Sequence, residues 1–291
     1  MNPRQLFRQT LPDLDEHQAQ AVFFLIVQHL TGLDRTHALL QPDCGITPDL
    51  RTPFLDILRN LSLGLPVQYA IGAAEFCSLR FKVNKNVLIP RPETQELVRH
   101  ALRDATDAAA TDTSVPSILD IGTGSGCIAV ALRHLLDQQH IQARIDAVDV
   151  SPAALKTARA NAQDLHADVR FLLGNVLLAD FKPSYNPYDL IISNPPYVRE
   201  SERESIDPSV LNFEPHQALF VPDNDPLRFY RAIARYASAH LRPQPSARLW
   251  LEINSALASQ TAELVASFGF SCQILNDAYG NCRFLRATPR S

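Results

Sequence analysis

The stretch Ser117-Ile-Leu-Asp-Ile-Gly-Thr-Gly-Ser-Gly-Cys-Ile-Ala-Val-Ala-Leu-Arg-His-Leu-Leu-Asp137 decides the fold. The apolar run SILDI (117–121) passes directly into Gly122-Thr123-Gly124-Ser125-Gly126, and GCIAVALRHLLD (126–137) then carries apolar side chains at helical spacing. Strand, glycine turn and helix in immediate succession open an α/β unit. The main-chain N–H groups of such a turn, backed by a helix N-terminus, can face a polar ligand group. Glycine is scarce in this chain, ten among 291 residues, yet three fall within these five positions. A Cβ there would collide with a close ligand or with the φ angles the turn requires.

The same alternation continues outward. RIDAVDV (144–150), DVRFLLG (168–174), YDLIISN (188–194) and RLWLEIN (248–254) read as strands. SPAALKTARANAQDL (151–165), DPLRFYRAIARYASAHL (225–241) and ALASQTAELVASFGF (256–270) read as helices, the first opened by Ser151 and Pro152 and the last ending at Gly269. CQIL (272–275) and CRFLRA (282–287) supply two final strands. Apolar strands alternating with helices imply a mostly parallel sheet covered on both faces. Upstream, LDEHQAQAVFFLIVQHLTG (14–32) and TPDLRTPFLDILRNLSLG (47–64) are helices ended by Gly32 and Gly64. EFCSLRFKVNKNVLI (75–89) alternates as two short strands with a turn expected near Asn84–Asn86. RPETQELVRHALRDAT (91–106) is a helix, and the small polar stretch ATDAAATDTSVP (105–116) is expected to be a flexible connection. The expected division is a helical domain over 1–72, a β-hairpin and helix connector over 73–110, and an α/β domain over 111–291.

Composition narrows the function classes. With 46% hydrophobic and 20% charged residues, a packed soluble core is expected. Lys plus Arg is 27 against 31 for Asp plus Glu, a net charge of −4, which argues against a stand-alone nucleic-acid binder and against stable binding of RNA or DNA. The apolar run Ala21–Val27 is too short to span a bilayer, and MNPRQLFRQT (1–10) contains no apolar signal segment, so no membrane partner and a cytoplasmic location are expected. Five cysteines, Cys44, Cys77, Cys127, Cys272 and Cys282, show no CxxC spacing. Neither a disulfide framework nor a metal site is suggested.

The glycine spacing is GxGxG. A dinucleotide fingerprint GxGxxG would need glycine where Cys127 stands, which weakens a nicotinamide oxidoreductase reading. Asp149 closes the next strand, 23 residues after Gly126. A carboxylate there can accept both hydroxyls of a ribose, although a helix cap is another use for it, and Asp146 could be a structural partner of the same strand. The strand YDLIIS runs into Asn194-Pro195-Pro196-Tyr197. Two prolines stiffen the loop and remove two N–H donors, Asn194 offers an acceptor and two donors, and Tyr197 an aromatic face. These parts suit a planar NH₂ group on a π system, with Asn194 Oδ1 and the Pro195 carbonyl accepting its two N–H bonds and Tyr197 stacking on its plane. A rigid turn without chemistry is the plain alternative. His134, His140, His166, His216 and His240 lack spaced partners, and in-line transfer from a cationic donor demands no histidine base.

The pattern Asp120-Ile-Gly-Thr-Gly-Ser-Gly126 with Asp149 resembles class I S-adenosylmethionine-dependent methyltransferases, which implies a Rossmann-like seven-stranded mostly parallel sheet with an antiparallel last strand. NPPY resembles the motif of members that modify exocyclic or amide nitrogen. PVQYAIGAAEFCSLRFKVNKNVLIPRPETQELV (66–98), above all IPRPETQELV (89–98), together with FEPHQAL (213–219) and NDAYGNCRF (276–284), resembles the release-factor glutamine methyltransferases, the PrmC/HemK family. The likeness covers about residues 66–291, and the helical residues 1–65 match in type and length. It implies N5-methylation of the glutamine in the Gly-Gly-Gln tip of class-1 peptide chain release factors, with S-adenosylmethionine as methyl donor. Gly122, Thr123, Gly124, Ser125, Gly126, Asp149, Val176 and Asn194 would hold the donor, and Asn194, Pro195, Pro196 and Tyr197 would clamp the amide. The N-terminal helices would help hold the release factor. Gly174-Asn175-Val176-Leu177 departs from the family's acidic and aromatic residues near the adenine. Asn254 stands where glycine is commoner, and Asp223-Asn224-Asp225-Pro226 replaces a glycine-containing turn. Glutamine methylation of a ribosomal protein, N-methylation of an RNA or DNA amine, and a non-catalytic cofactor-binding module are the other readings.

Overall fold

The computed structural model describes residues 2–111, 115–183 and 187–290. It divides into two compact units, Met1–Ala73 with Asp207–Phe213, and Ala74–Ile206 with Glu214–Ser291. The first contains α1 (Pro3–Thr10), α2 (Glu16–Thr31), α3 (Arg35–Leu39), α4 (Arg51–Ser62) and α5 (Val67–Ile71). Asn2, Asp15 and Asp34 start three of these helices by accepting the main-chain N–H of Arg4, Gln18 and His37. Gly32 stops α2 in the left-handed conformation that glycine adopts without a steric cost. Phe7, Phe23 and Phe54 meet edge to face among Ile26, Val27 and Leu58, all buried.

Next along the chain come β1 (Ala73–Phe76), β2 (Leu79–Lys82), α6 (Pro92–Thr111), β3 (Ser117–Ile121), α7 (Cys127–Gln138), β4 (Arg144–Asp149), α8 (Pro152–Asp164), β5 (Arg170–Leu173), β6 (Leu190–Ser193) and β7 (Val198–Arg199). They are followed by α9 (Pro208–Phe213), β8 (Phe220–Val221), α10 (Arg228–His240), β9 (Arg248–Glu252), α11 (Ala258–Ser267), β10 (Phe270–Asn276) and β11 (Cys282–Pro289). Seven strands form one sheet in the order β10-β11-β9-β6-β3-β4-β5. The pairs among β9, β6, β3, β4 and β5 are parallel, and β11 runs antiparallel to both neighbours. The sheet is the mostly parallel one expected, with an antiparallel last strand. Alternate residues bury opposite faces: Ile118, Ile145, Ile192, Trp250 and Phe284 join Leu97, Val98 and α7, whereas Leu119, Val148, Ile191, Leu251 and Leu285 join α10 and α11. Strand order reverses at β3, so a crevice is expected outside the carboxyl ends of β3, β4 and β6.

Three local expectations need correction. The β1–β2 turn is Cys77-Ser78, not Asn84–Asn86. Both turn residues have positive φ (50° and 61°), the pattern of a type I′ turn, without the asparagine or glycine that would announce it. Asn84 instead makes a separate turn, its Oδ1 accepting from Asn86 N at 2.9 Å. The 105–116 stretch is not a flexible connection as a whole, because α6 continues to Thr111 with Ala105 buried on its inner face. Residues 112–114 lie outside the described residues. Finally, the segment expected as a connector, from Ala74 to 110, packs within the second unit, where Phe76 and Phe81 join Leu97 and Val98 in one core. Among the described residues no helix is long and apolar enough to cross a membrane.

Candidate active site

The glycine loop is pinned to β4 because the N–H groups of Gly122 and Thr123 both donate to Val148 O, at 2.8 and 3.0 Å. Gly122, Gly124 and Gly126 all have positive φ, 78°, 56° and 82°, but they serve different ends. A Cβ on Gly126 would stand 3.1 Å from Ala158 Cβ and 3.3 Å from its Cα, so this glycine lets α8 approach the loop. Gly122 and Gly124 have open space where a Cβ would be, and both line a cleft at the carboxyl ends of the strands. Thr123, Ser125 and Gly126 are not among its lining residues. Thr123 Oγ1 donates to buried Asp120 at 2.6 Å, and Ser125 O accepts from Asn161 Nδ2 at 2.8 Å. These contacts hold the loop from beneath. Burial pushes the Asp120 carboxyl up to about 7 against the pull of Thr123.

Asp149 lies on the cleft wall. Its Oδ2 accepts from Gly124 N and its Oδ1 from Ser151 N, both at 2.8 Å. Burial raises its pKa, while the N–H groups of Ser151 and Gly124 oppose that shift. Each oxygen keeps a further acceptor direction, so the carboxylate is held in one plane with capacity left for a diol. Asp146 has a different duty. It takes Arg170 at 2.8 and 2.6 Å and the Tyr188 hydroxyl at 2.7 Å, tying β4 to β5 and to the segment that leads into β6. Val148, Val150, Ala154 and Val176 give the Asp149 side of the cleft an apolar wall. A preoriented carboxylate beside an apolar, glycine-floored groove fits an adenosine-bearing donor, and Val176, 9% exposed, offers a packing surface but no stacking ring.

Asn194, Pro195 and Pro196 line the same cleft as Gly122, Gly124, Asp149 and Val176. Asn194 Nδ2 donates to Thr94 Oγ1 at 3.1 Å, and Thr94 Oγ1 donates to Glu252 Oε2 at 2.8 Å. Among the described residues, Asn194 Oδ1 accepts no hydrogen bond. Tyr197 departs from the expected stacking position. It is not a cleft-lining residue; its ring packs against the core, and its hydroxyl donates to Glu252 Oε1 at 3.1 Å. Burial and the neighbouring Glu252 raise the Tyr197 pKa far above a free phenol, so the group stays protonated.

Residues to which the sequence assigned no role in the site build the support. Glu252 sits 1% exposed at the end of β9, and Asn254 follows it. Asn254 Nδ2 donates to Tyr197 O and to Glu202 Oε2, each at 3.1 Å, so the residue standing in place of a glycine braces the NPPY main chain. Glu214 takes Ile89 N at 3.0 Å and Arg91 at 2.5 Å, joining FEPHQAL to IPRPET. Leu88, immediately before IPRPET, and Gln217 of FEPHQAL reach the cleft. A charged residue inside the apolar strand RLWLEIN was the available signal for Glu252. Leu88 and Gln217 carry no comparable mark.

A family model for the PrmC N-terminal domain matches residues 4–72, and one for the methyltransferase small domain matches 106–211. A protein of Flavobacterium psychrophilum named release factor glutamine methyltransferase is 38% identical over 291 residues, 99% of each chain. Proteins of the same name are 38% identical in Bacteroides thetaiotaomicron, over 96% of each chain, and 36% in Chlorobaculum tepidum, over 87% of this chain and 84% of that one. With identity of this size running from end to end, the chain belongs to the release factor glutamine methyltransferase family.

Proposed function

We propose that this chain transfers the methyl group of S-adenosylmethionine to the side-chain amide nitrogen of glutamine, N5, in the Gly-Gly-Gln motif of class-1 peptide chain release factors. The observation that carries the reading is Asn194, with its Oδ1 unclaimed among the described residues, on a prolyl loop in the same cleft as the glycine floor and Asp149. When bound, the donor supplies a methyl group on cationic sulfur. The chain has to bring a weak nucleophile into line with it. An amide nitrogen has its lone pair delocalised into the carbonyl. Acceptors at both N–H bonds, Asn194 Oδ1 and the Pro195 carbonyl, orient that nitrogen and return electron density to it. As the N–C bond forms, the nitrogen carries one proton too many. A protonated amide is acidic enough to lose it to water, so the reaction asks for no buried histidine or cysteine base. Asp149 and the Gly122–Gly124 floor hold the donor, and the apolar wall through Val176 packs on it.

The test is incubation with methyl-labelled S-adenosylmethionine and separate pools of release factor, ribosomal protein, RNA and DNA. Label is expected in the release factor alone. Label confined to any other pool refutes the substrate assignment.

A further inference from the structure

The direction of hydrogen bonding around Glu252 decides which end of the Asn194 amide faces the cleft. An ionised carboxylate only accepts. Thr94 therefore commits its single proton to Glu252 Oε2, at 2.8 Å, and Tyr197 commits its own to Oε1, at 3.1 Å. Thr94 Oγ1 is left with lone pairs alone, and only the NH₂ end of Asn194 can satisfy them, as it does at 3.1 Å. The flipped amide would set Oδ1 against an oxygen with no proton to give. We propose that Thr94 and Glu252 are positioning residues for methyl transfer: the buried carboxylate polarises the chain Glu252–Thr94–Asn194 in one direction and so presents the Asn194 acceptor to the substrate N–H.

This inference rests on the glutamine-amide reading of the cleft. It assigns work to the threonine of IPRPET and to an acid in a buried strand, neither of which touches the reacting atoms. The groups facing Glu252 are Thr94 and Glu93 from α6, Tyr197 from the NPPY loop, Arg283 from β11, and Tyr230 from α10, whose hydroxyl reaches the Glu252 carbonyl at 3.3 Å. Burial outweighs the hydrogen bonds and Arg283, and holds the Glu252 carboxyl up at about 7. Once protonated, the acid can donate to Thr94, and the direction is no longer enforced. At saturating cofactor, kcat should therefore rise with pH as Glu252 ionises.

The experiment measures kcat, protein-substrate KM and the Kd for S-adenosylhomocysteine in Thr94→Val, Thr94→Ser and Glu252→Gln, with kcat followed across pH. Thr94→Val should lose about tenfold or more in kcat, the scale of one catalytic hydrogen bond, with the cofactor Kd within about twofold of the unmutated chain. Thr94→Ser keeps the hydroxyl and should stay within about threefold. Glu252→Gln can donate or accept, so it should lower kcat by a similar factor and abolish the rise with pH. Unmutated kcat in Thr94→Val, a Thr94→Ser defect equal to that of Thr94→Val, or an unchanged pH profile in Glu252→Gln would each overturn the proposal. If Thr94→Val fails to fold, the nearly isosteric Glu252→Gln and Thr94→Ser decide. An unmutated chain that places no methyl on glutamine would instead strike the functional reading itself, and the proposal with it.

Discussion

Replacing Asp149 with alanine tests the donor site at one carboxylate. Each oxygen of Asp149 already holds a main-chain N–H at 2.8 Å, Gly124 on Oδ2 and Ser151 on Oδ1. The side chain is thereby aimed before any ligand arrives, and little ordering cost remains on binding. Hydrogen bonds to a charged acceptor contribute about 1.5–3 kcal/mol each. Part of that is offset, because the burial that raises the Asp149 pKa also makes the empty carboxylate costly to keep. A net loss of about 1–3 kcal/mol follows for Asp149→Ala, or roughly 5- to 150-fold in Kd. The loop loses its carboxylate tie in the same variant, but Gly122 N and Thr123 N still hold Val148 O, so the fold should persist. Calorimetric titration of S-adenosylhomocysteine, beside an unfolding scan of the free chain, reads both quantities. An unchanged Kd in a folded variant would refute the assignment of Asp149 to the donor.

Other outcomes follow from neighbouring residues. Asn194→Ala should abolish methyl transfer with the fold largely kept, since it removes an acceptor on a loop; turnover near that of the unmutated chain would dismiss the amide clamp. Gly126→Ala and Gly124→Ala should separate. The first combines left-handed strain with a 3.1 Å approach to Ala158 and should cost about 2–4 kcal/mol of stability, seen as a fall of several degrees in unfolding temperature. The second meets open space and should cost only about 1–2 kcal/mol of strain while weakening donor binding, and equal effects on both measurements would be inconsistent with the two roles. Asp120→Asn tests burial of charge. With its carboxyl at about 7 when folded, above the unfolded value of 3.8, the folded chain holds a proton that the unfolded chain has released. Stability contributed by this group therefore falls as pH rises between about 4 and about 7, by on the order of a few kcal/mol, and is level above. Unfolding temperatures at pH 5 and pH 8 should show Asp120→Asn gaining on the unmutated chain at the higher pH, and a constant gap would contradict the shift.

Most of the sheet was legible because its strands are short apolar runs bounded by polar breaks. SILDI is β3 residue for residue, and Ser151 with Pro152 marked the start of α8. The two-residue turn at Cys77-Ser78 was not legible, since its positive φ angles are imposed by pairing of β1 with β2 and carry no local signal. Nor was α9, six residues following the NPPY loop that belong with the N-terminal unit, because membership of a unit is a long-range property. In the site, GxGxG, Asp149 and NPPY were visible as departures from composition: clustered glycine, an acid closing a strand, paired prolines. Their unequal roles were hidden. Gly126 reads like Gly124 until Ala158 is placed against it, and Tyr197 reads as a free aromatic face until Glu252 claims its hydroxyl. Thr94 and Glu252 are 158 residues apart and meet only in the fold.

The most direct measurement takes a class-1 release factor treated with this chain and S-adenosylmethionine and locates the added methyl group by fragmentation of the Gly-Gly-Gln peptide. A single methyl on the glutamine side-chain nitrogen, absent with Asn194→Ala, is the expected result. A methyl on any other atom of the factor, or none while another class of molecule is methylated, would contradict a cleft built to present an amide N–H to Asn194.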